Sequence, residues 1–117
     1  MSDPMSWTPE GMRVSRPPKE VWFDRAELSA ILRVYGRLVA SGDLRDYAIG
    51  AFADHATFCM YRRASEAPTW TIEKRPDLSR KQGAWSVVNA TGQILKRGRE
   101  LDLVLRIFDR RRFDVID

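Results

Sequence analysis

Two hydrophobic periods run along this chain, and the change between them divides it. From Asp24 to Gly42 the apolar residues recur at helical spacing. Leu28, Ile31, Leu32, Tyr35, Leu38 and Val39 share one face, and Arg25, Arg33 and Arg37 fall largely elsewhere. Asp24 suits the N-cap, and Glu27 three residues later completes an Asp-led capping box. Phe23 and Leu28 stand where a hydrophobic staple would sit. Gly42 takes the C′ place that ends the helix. Gly36 in its middle costs about 1 kcal/mol relative to Ala, which raises the expectation that another backbone approaches closely there.

After Gly42 the period shortens. Tyr47–Phe52 is a short apolar run that reads as a strand. Ala56–Arg63 and Thr69–Arg75 flank a five-residue loop and predict a hairpin. Pairing Arg63 with Thr69 sets Met60 opposite Ile72 and Arg62 opposite Trp70. Phe58, Met60, Trp70 and Ile72 then share one face, and Thr57, Cys59, Tyr61, Thr71 and Glu73 the other. A second hairpin joins Ala84–Val88 to Gln93–Arg97, with Gly92 in the left-handed position of a three-residue loop. Its register sets Val88 against Ile94 and Val87 against Leu95. A last helix is expected over Glu100–Arg110. Leu101, Val104, Leu105 and Phe108 form one stripe and Leu103 and Ile107 a second, so the helix needs cover on two sides.

These elements predict an α+β fold: an antiparallel meander sheet of four or five strands, with an N-terminal and a C-terminal helix packed on one face. Residues 1–20 carry four of the six prolines and no apolar period, and read as a disordered tail. Residues 21–113 read as a single domain and 114–117 as its C-terminal end. Trp22 is expected to cap the edge of the core. Trp7 is either loose or part of a docking motif.

Composition narrows the chemistry. One cysteine, Cys59, leaves no internal disulfide, and no apolar run is long enough to span a bilayer. The start shows no apolar region behind basic residues, so a cytoplasmic protein is expected. His55, the single histidine, stands four residues from Cys59. In an extended strand that separation is about 13 Å, too far for a nucleophile and its base. One His and one Cys cannot build a structural zinc site. The glycines match no phosphate-binding pattern. Asp43 and Asp46 read as turn residues rather than a paired-carboxylate site. No catalytic residue, cofactor or metal is therefore expected.

Charge adds one candidate. The net charge is +4, and all of the excess lies beyond Ala53, where 13 basic residues face 9 acidic ones. In a simple meander, Lys74, Arg75, Arg80, Lys81, Lys96 and Arg97 gather at one end of the sheet near Trp85. Six cations there could neutralise several phosphates of a nucleic acid or other polyanion. Arg62, Arg63 and Arg99 belong to the wider basic set. The expected function is thus a small non-catalytic binding module with a polyanion at this rim. The alternative is a protein-interaction or homodimerisation module acting through Leu103 and Ile107 of the last helix or through Trp7 of the tail.

Three stretches also carry a resemblance: FDRAELSAILRVYGRLVASGDLRDYAI, YRRASEAPTWTIEKRPDLSRKQGAWSV and ATGQILKRGRELDLVLRIFD. They resemble a family of small, uncharacterised alphaproteobacterial proteins, a domain of unknown function. The resemblance implies a cytoplasmic bacterial protein with one intact domain, and brings no activity, cofactor or site residue with it.

Overall fold

The computed structural model describes residues 19–63 and 66–116. Trp7 and most of the expected tail lie outside the described residues. Helix α1 spans Arg25–Ala40, and strands β1 Asp46–Ala51, β2 Ala56–Tyr61 and β3 Trp70–Lys74 follow. A short 3-10 helix at Pro76–Leu78 leads to β4 Trp85–Asn89, β5 Ile94–Gly98 and helix α2 Leu101–Ile116. The five strands form one antiparallel meander sheet in chain order. Both helices pack on the same face of it, giving the expected α+β fold.

Local chemistry accounts for the ends of α1. The Asp24 side chain accepts from Glu27 N, and Glu27 Oε1 accepts from Asp24 N, both at 2.8 Å. At the other end Gly42 adopts φ 87°. Its N–H donates to Val39 O while Asp43 N–H donates to Leu38 O, the paired bonds of a Schellman turn. No Pro or Gly follows Arg110, and α2 continues past its expected end to Ile116.

The core lies between helices and sheet. Ile31, Val34 and Leu38 of α1 and Val104, Leu105 and Phe108 of α2 meet Phe58, Met60, Trp70, Ile72, Trp85 and Val87. Each such large side chain contributes about 1.5–3 kcal/mol on full burial. Several expectations need correction here. Val34 lies in the buried stripe of α1, while Leu32 and Val39 are exposed. The buried face is rotated toward α2, which packs beside α1. Trp22 does not cap the core, being 61% exposed. Phe23 takes that place and stacks on Trp85 at 6.1 Å between centroids. Among the described residues nothing lies within 4 Å of a Cβ built at Gly36, so the expected close approach of another backbone is not found there.

Two registers also differ. β2 and β3 pair Met60 with Trp70 and Phe58 with Ile72, two residues away from the expected pairing. The connection between them is longer than the five residues expected. The slip is even, so every side chain keeps its expected face. Between β4 and β5, Val88 pairs with Ile94 as expected, but Val87 pairs with Lys96. Leu95 is the extra residue of a bulge and packs against the core.

Candidate docking groove on the basic flank

The meander brings the Lys74, Trp85 and Gly98 ends of β3, β4 and β5 together. The connection from Pro76 to Ala84 folds back over the same end. Gly83 N–H donates to Leu78 O, and Arg75 N–H to Ala84 O. The strand ends and the connection that carry the six expected cations therefore meet, but the cations have different fates.

Lys74 points to the helix side of the sheet, not to solvent. Its Nζ donates to Glu27 Oε1 at 2.6 Å and to Trp22 O at 2.7 Å, and lies 5.8 Å from the Trp85 ring centroid. Arg75 Nε donates to Glu73 Oε1 at 3.0 Å, and Arg75 Nη1 lies 3.6 Å from Asp54 Oδ2. These two cations are held by acids of the same domain. Arg80 and Lys81 are exposed in the connection, where Arg99 Nη2 donates to Arg80 O at 3.1 Å. Among the described residues, no acidic side chain pairs with Arg80, Lys81, Arg97 or Arg99. Arg97 stands on the sheet face opposite the helices, in a row with Thr57, Glu73 and Ser86. Its Nη1 is buried and lacks a hydrogen-bond partner among the described residues.

Lys96 is separated from this corner. The bulge turns it toward α2, where a groove of ≈ 460 Å³ runs between β5 and the helix. Leu95, Leu103 and Ile107 line it as apolar floor, and Lys96 and Arg106 as cationic walls. Leu103 is 44% exposed. One cation of the rim set thus joins both helix residues singled out from the α2 stripe. Leu95 and Arg106 were not foreseen. Arg106 carried a signal, standing three residues after Leu103 on the same helix face. Leu95 carried none, because the bulge that turns it has no sequence mark of its own. Chemically, the groove suits a ligand with an apolar body and negative flanks.

The reactive side chains lie elsewhere and have partners. His55 Nδ1 is 2.6 Å from Asp54 Oδ1, and the ring stacks on Phe52. That hydrogen bond is the main reason the Asp54 carboxyl is held below its ordinary value of 3.8. Thr71 Oγ1 donates to Cys59 Sγ at 3.8 Å. Asp43 Oδ2 accepts from Ser41 Oγ in the turn after α1, whereas Asp46, expected in the turn, is the first residue of β1 and its Oδ1 accepts from Tyr47 N. Among the described residues there is no group of three or more metal-ligating side chains, and no helix is long and apolar enough to cross a membrane.

No curated protein and no solved structure matches this chain. A family model does match, over residues 21–105, which takes in the sheet, α1 and the first turn of α2. The chain therefore belongs to the DUF2794 family, proteins of unknown function.

Proposed function

We propose that this domain is a non-catalytic protein-docking module whose docking surface is the groove between β5 and α2. The observation that carries the reading is the joining of Leu95, Leu103 and Ile107 with Lys96 and Arg106 in one open groove. An apolar floor supplies affinity by burial, and flanking cations select acidic neighbours and steer encounter. The partner is a segment with an apolar stripe and acidic flanks. It binds as an amphipathic helix rather than an added strand. Strand addition needs a regular backbone edge, and the edge at β5 is broken by the Leu95 bulge and crowded by Lys96 and Arg97.

Site-specific photo-crosslinking in the native cell tests this. A crosslinker at Leu103 should capture a protein segment of that composition, and one at exposed Ala90 should not. Equal capture from both positions, or capture of nucleic acid at Leu103, contradicts the reading.

A second reading rests on Arg97. A buried guanidinium nitrogen with no hydrogen-bond partner among the described residues, at the sheet end that also carries Arg80, Lys81 and Arg99, is a donor for an anion. With Lys74 and Arg75 held internally and Lys96 turned into the groove, three of the six expected cations remain at this corner, and Arg99 joins them. Salt-sensitive retention of nonspecific DNA or RNA, lost on Arg97→Ala with Arg99→Ala, would support it. A flat isotherm at low salt removes it.

A further inference from the structure

The opposite edge of the sheet carries a different surface. β1 pairs with β2 in an unbroken register from Asp46 to Ala51 and contains no Lys, Arg or Pro. β5, the other edge, has a bulge and two cations. Exposed edges are commonly blunted by such devices, and β1 has none of them. Its core-side residues Tyr47 and Ile49 are 43% and 40% exposed. The Tyr35 ring meets Tyr47 edge-on at 5.0 Å. Leu32 and Val39, three residues before and four after Tyr35, flank it on the same side of α1 and are also exposed. The result is one apolar strip beside a backbone edge on which no strand pairs among the described residues.

We infer that this strip is closed by a second copy of the chain, packed across a two-fold axis with the two α1 helices antiparallel. Two features make the face self-complementary. Gly36 is exposed between Leu32 and Val39, and none of the described residues fills the space above it. In an antiparallel pair, Leu32 of each copy falls over Gly36 of the other, a knob in a hole made twice by the symmetry. The same alignment sets Arg25, exposed at the start of α1, against Asp43, just beyond the end of the other copy's helix. Each of these charges sits at the wrong end of its own helix dipole, and the opposite copy offsets both. This accounts for a mid-helix glycine that packing within one chain leaves unexplained.

Sedimentation velocity on the full chain across a wide concentration range tests the inference, with four variants. The parent chain should form a dimer. Gly36→Leu should fold as well as the parent, since a Cβ there meets none of the described residues, yet raise the dimer dissociation constant at least tenfold. Arg25→Asp and Asp43→Arg should each weaken the dimer, and the double reversal should restore it. A monomer at every concentration overturns the inference. So does a dimer indifferent to Gly36→Leu, or one that the double reversal fails to rescue. Deletion of residues 1–18 closes the remaining route: dimerisation that appears only in the shortened chain would mean that the N-terminal segment, not a second copy, covers the strip.

Discussion

Lys74 Nζ lies 2.6 Å from Glu27 Oε1, so the last residue of β3 is pinned to the capping box of α1. Their side chains are 18% and 22% exposed, which makes this an internal pair rather than a solvated one. Glu27 already accepts from Asp24 N, and one carboxylate therefore fixes both the helix start and its seat on the sheet. Lys74→Ala should destabilise the domain by about 1.5–3 kcal/mol, the range for hydrogen bonds to charged groups. A double-mutant cycle with Glu27→Ala, followed by chemical denaturation, should return a coupling energy well above that of a surface pair. Additive single effects would mean that the contact carries no stability.

Gly83 bears on the basic corner. It holds φ 98°, and a Cβ placed there would stand 2.3 Å from Gly98 C and 2.4 Å from Gly98 O. The positive φ alone costs an L-residue about 1–2 kcal/mol, and the contact with backbone cannot be relieved by a rotamer change. Gly83→Ala should therefore lose about 2 kcal/mol or more, a large single-residue effect. Gly36→Ala makes the internal control. Its Cβ would stand clear of the described residues, and the substitution should stabilise the folded monomer by up to about 1 kcal/mol. Thermal melts of the two variants should move in opposite directions.

Tyrosine ionisation reports on the two sheet faces. The chain has three tyrosines. Burial, then the negative charge of Asp46, pushes the Tyr35 phenol above its ordinary 10.0. Burial, then Cys59, raises Tyr61 in the same way on the opposite face. A raised phenol pKa means that the fold favours the neutral ring. This contribution to stability is complete below pH 10.0 and fades as pH climbs through the raised folded-state values. An ultraviolet-difference titration of the parent chain and of single Tyr→Phe variants should show Tyr35 and Tyr61 ionising later in the folded chain than in denaturant, where model phenols titrate at about pH 10. Three coincident folded-state transitions at the ordinary value would contradict the packing described for both faces.

Much of this architecture is legible in the sequence. The capping box of Asp24 and Glu27, the left-handed turns at Gly42 and Gly92, and the faces of β2 and β3 follow from local chemistry that tertiary structure leaves intact. What is not legible involves choices between distant elements. Periodicity places Leu32 and Val39 on an apolar face of α1, but only the position of α2 decides that Val34 is buried and those two are exposed. Charge spacing brings Lys74, Arg75 and Lys96 to one end of a meander. It does not show that Glu27 and Glu73 claim the first two, nor that a bulge at Leu95 turns the third into a groove with Leu103 and Ile107. The candidate site was visible as two unconnected sets of residues, and the bulge is what joins them.

The most direct test of the docking groove is an NMR titration of the isotopically labelled full chain with a synthetic amphipathic helical peptide. The peptide carries leucines along one face and glutamates beside them. Amide shifts should concentrate at Leu95, Lys96, Leu103, Arg106 and Ile107. They should vanish when lysines replace the glutamates, and in Leu103→Asp, whose exposed position lets the variant fold. No saturable shift in the parent chain, or the same shifts with the lysine peptide, would contradict a groove that selects an acidic partner.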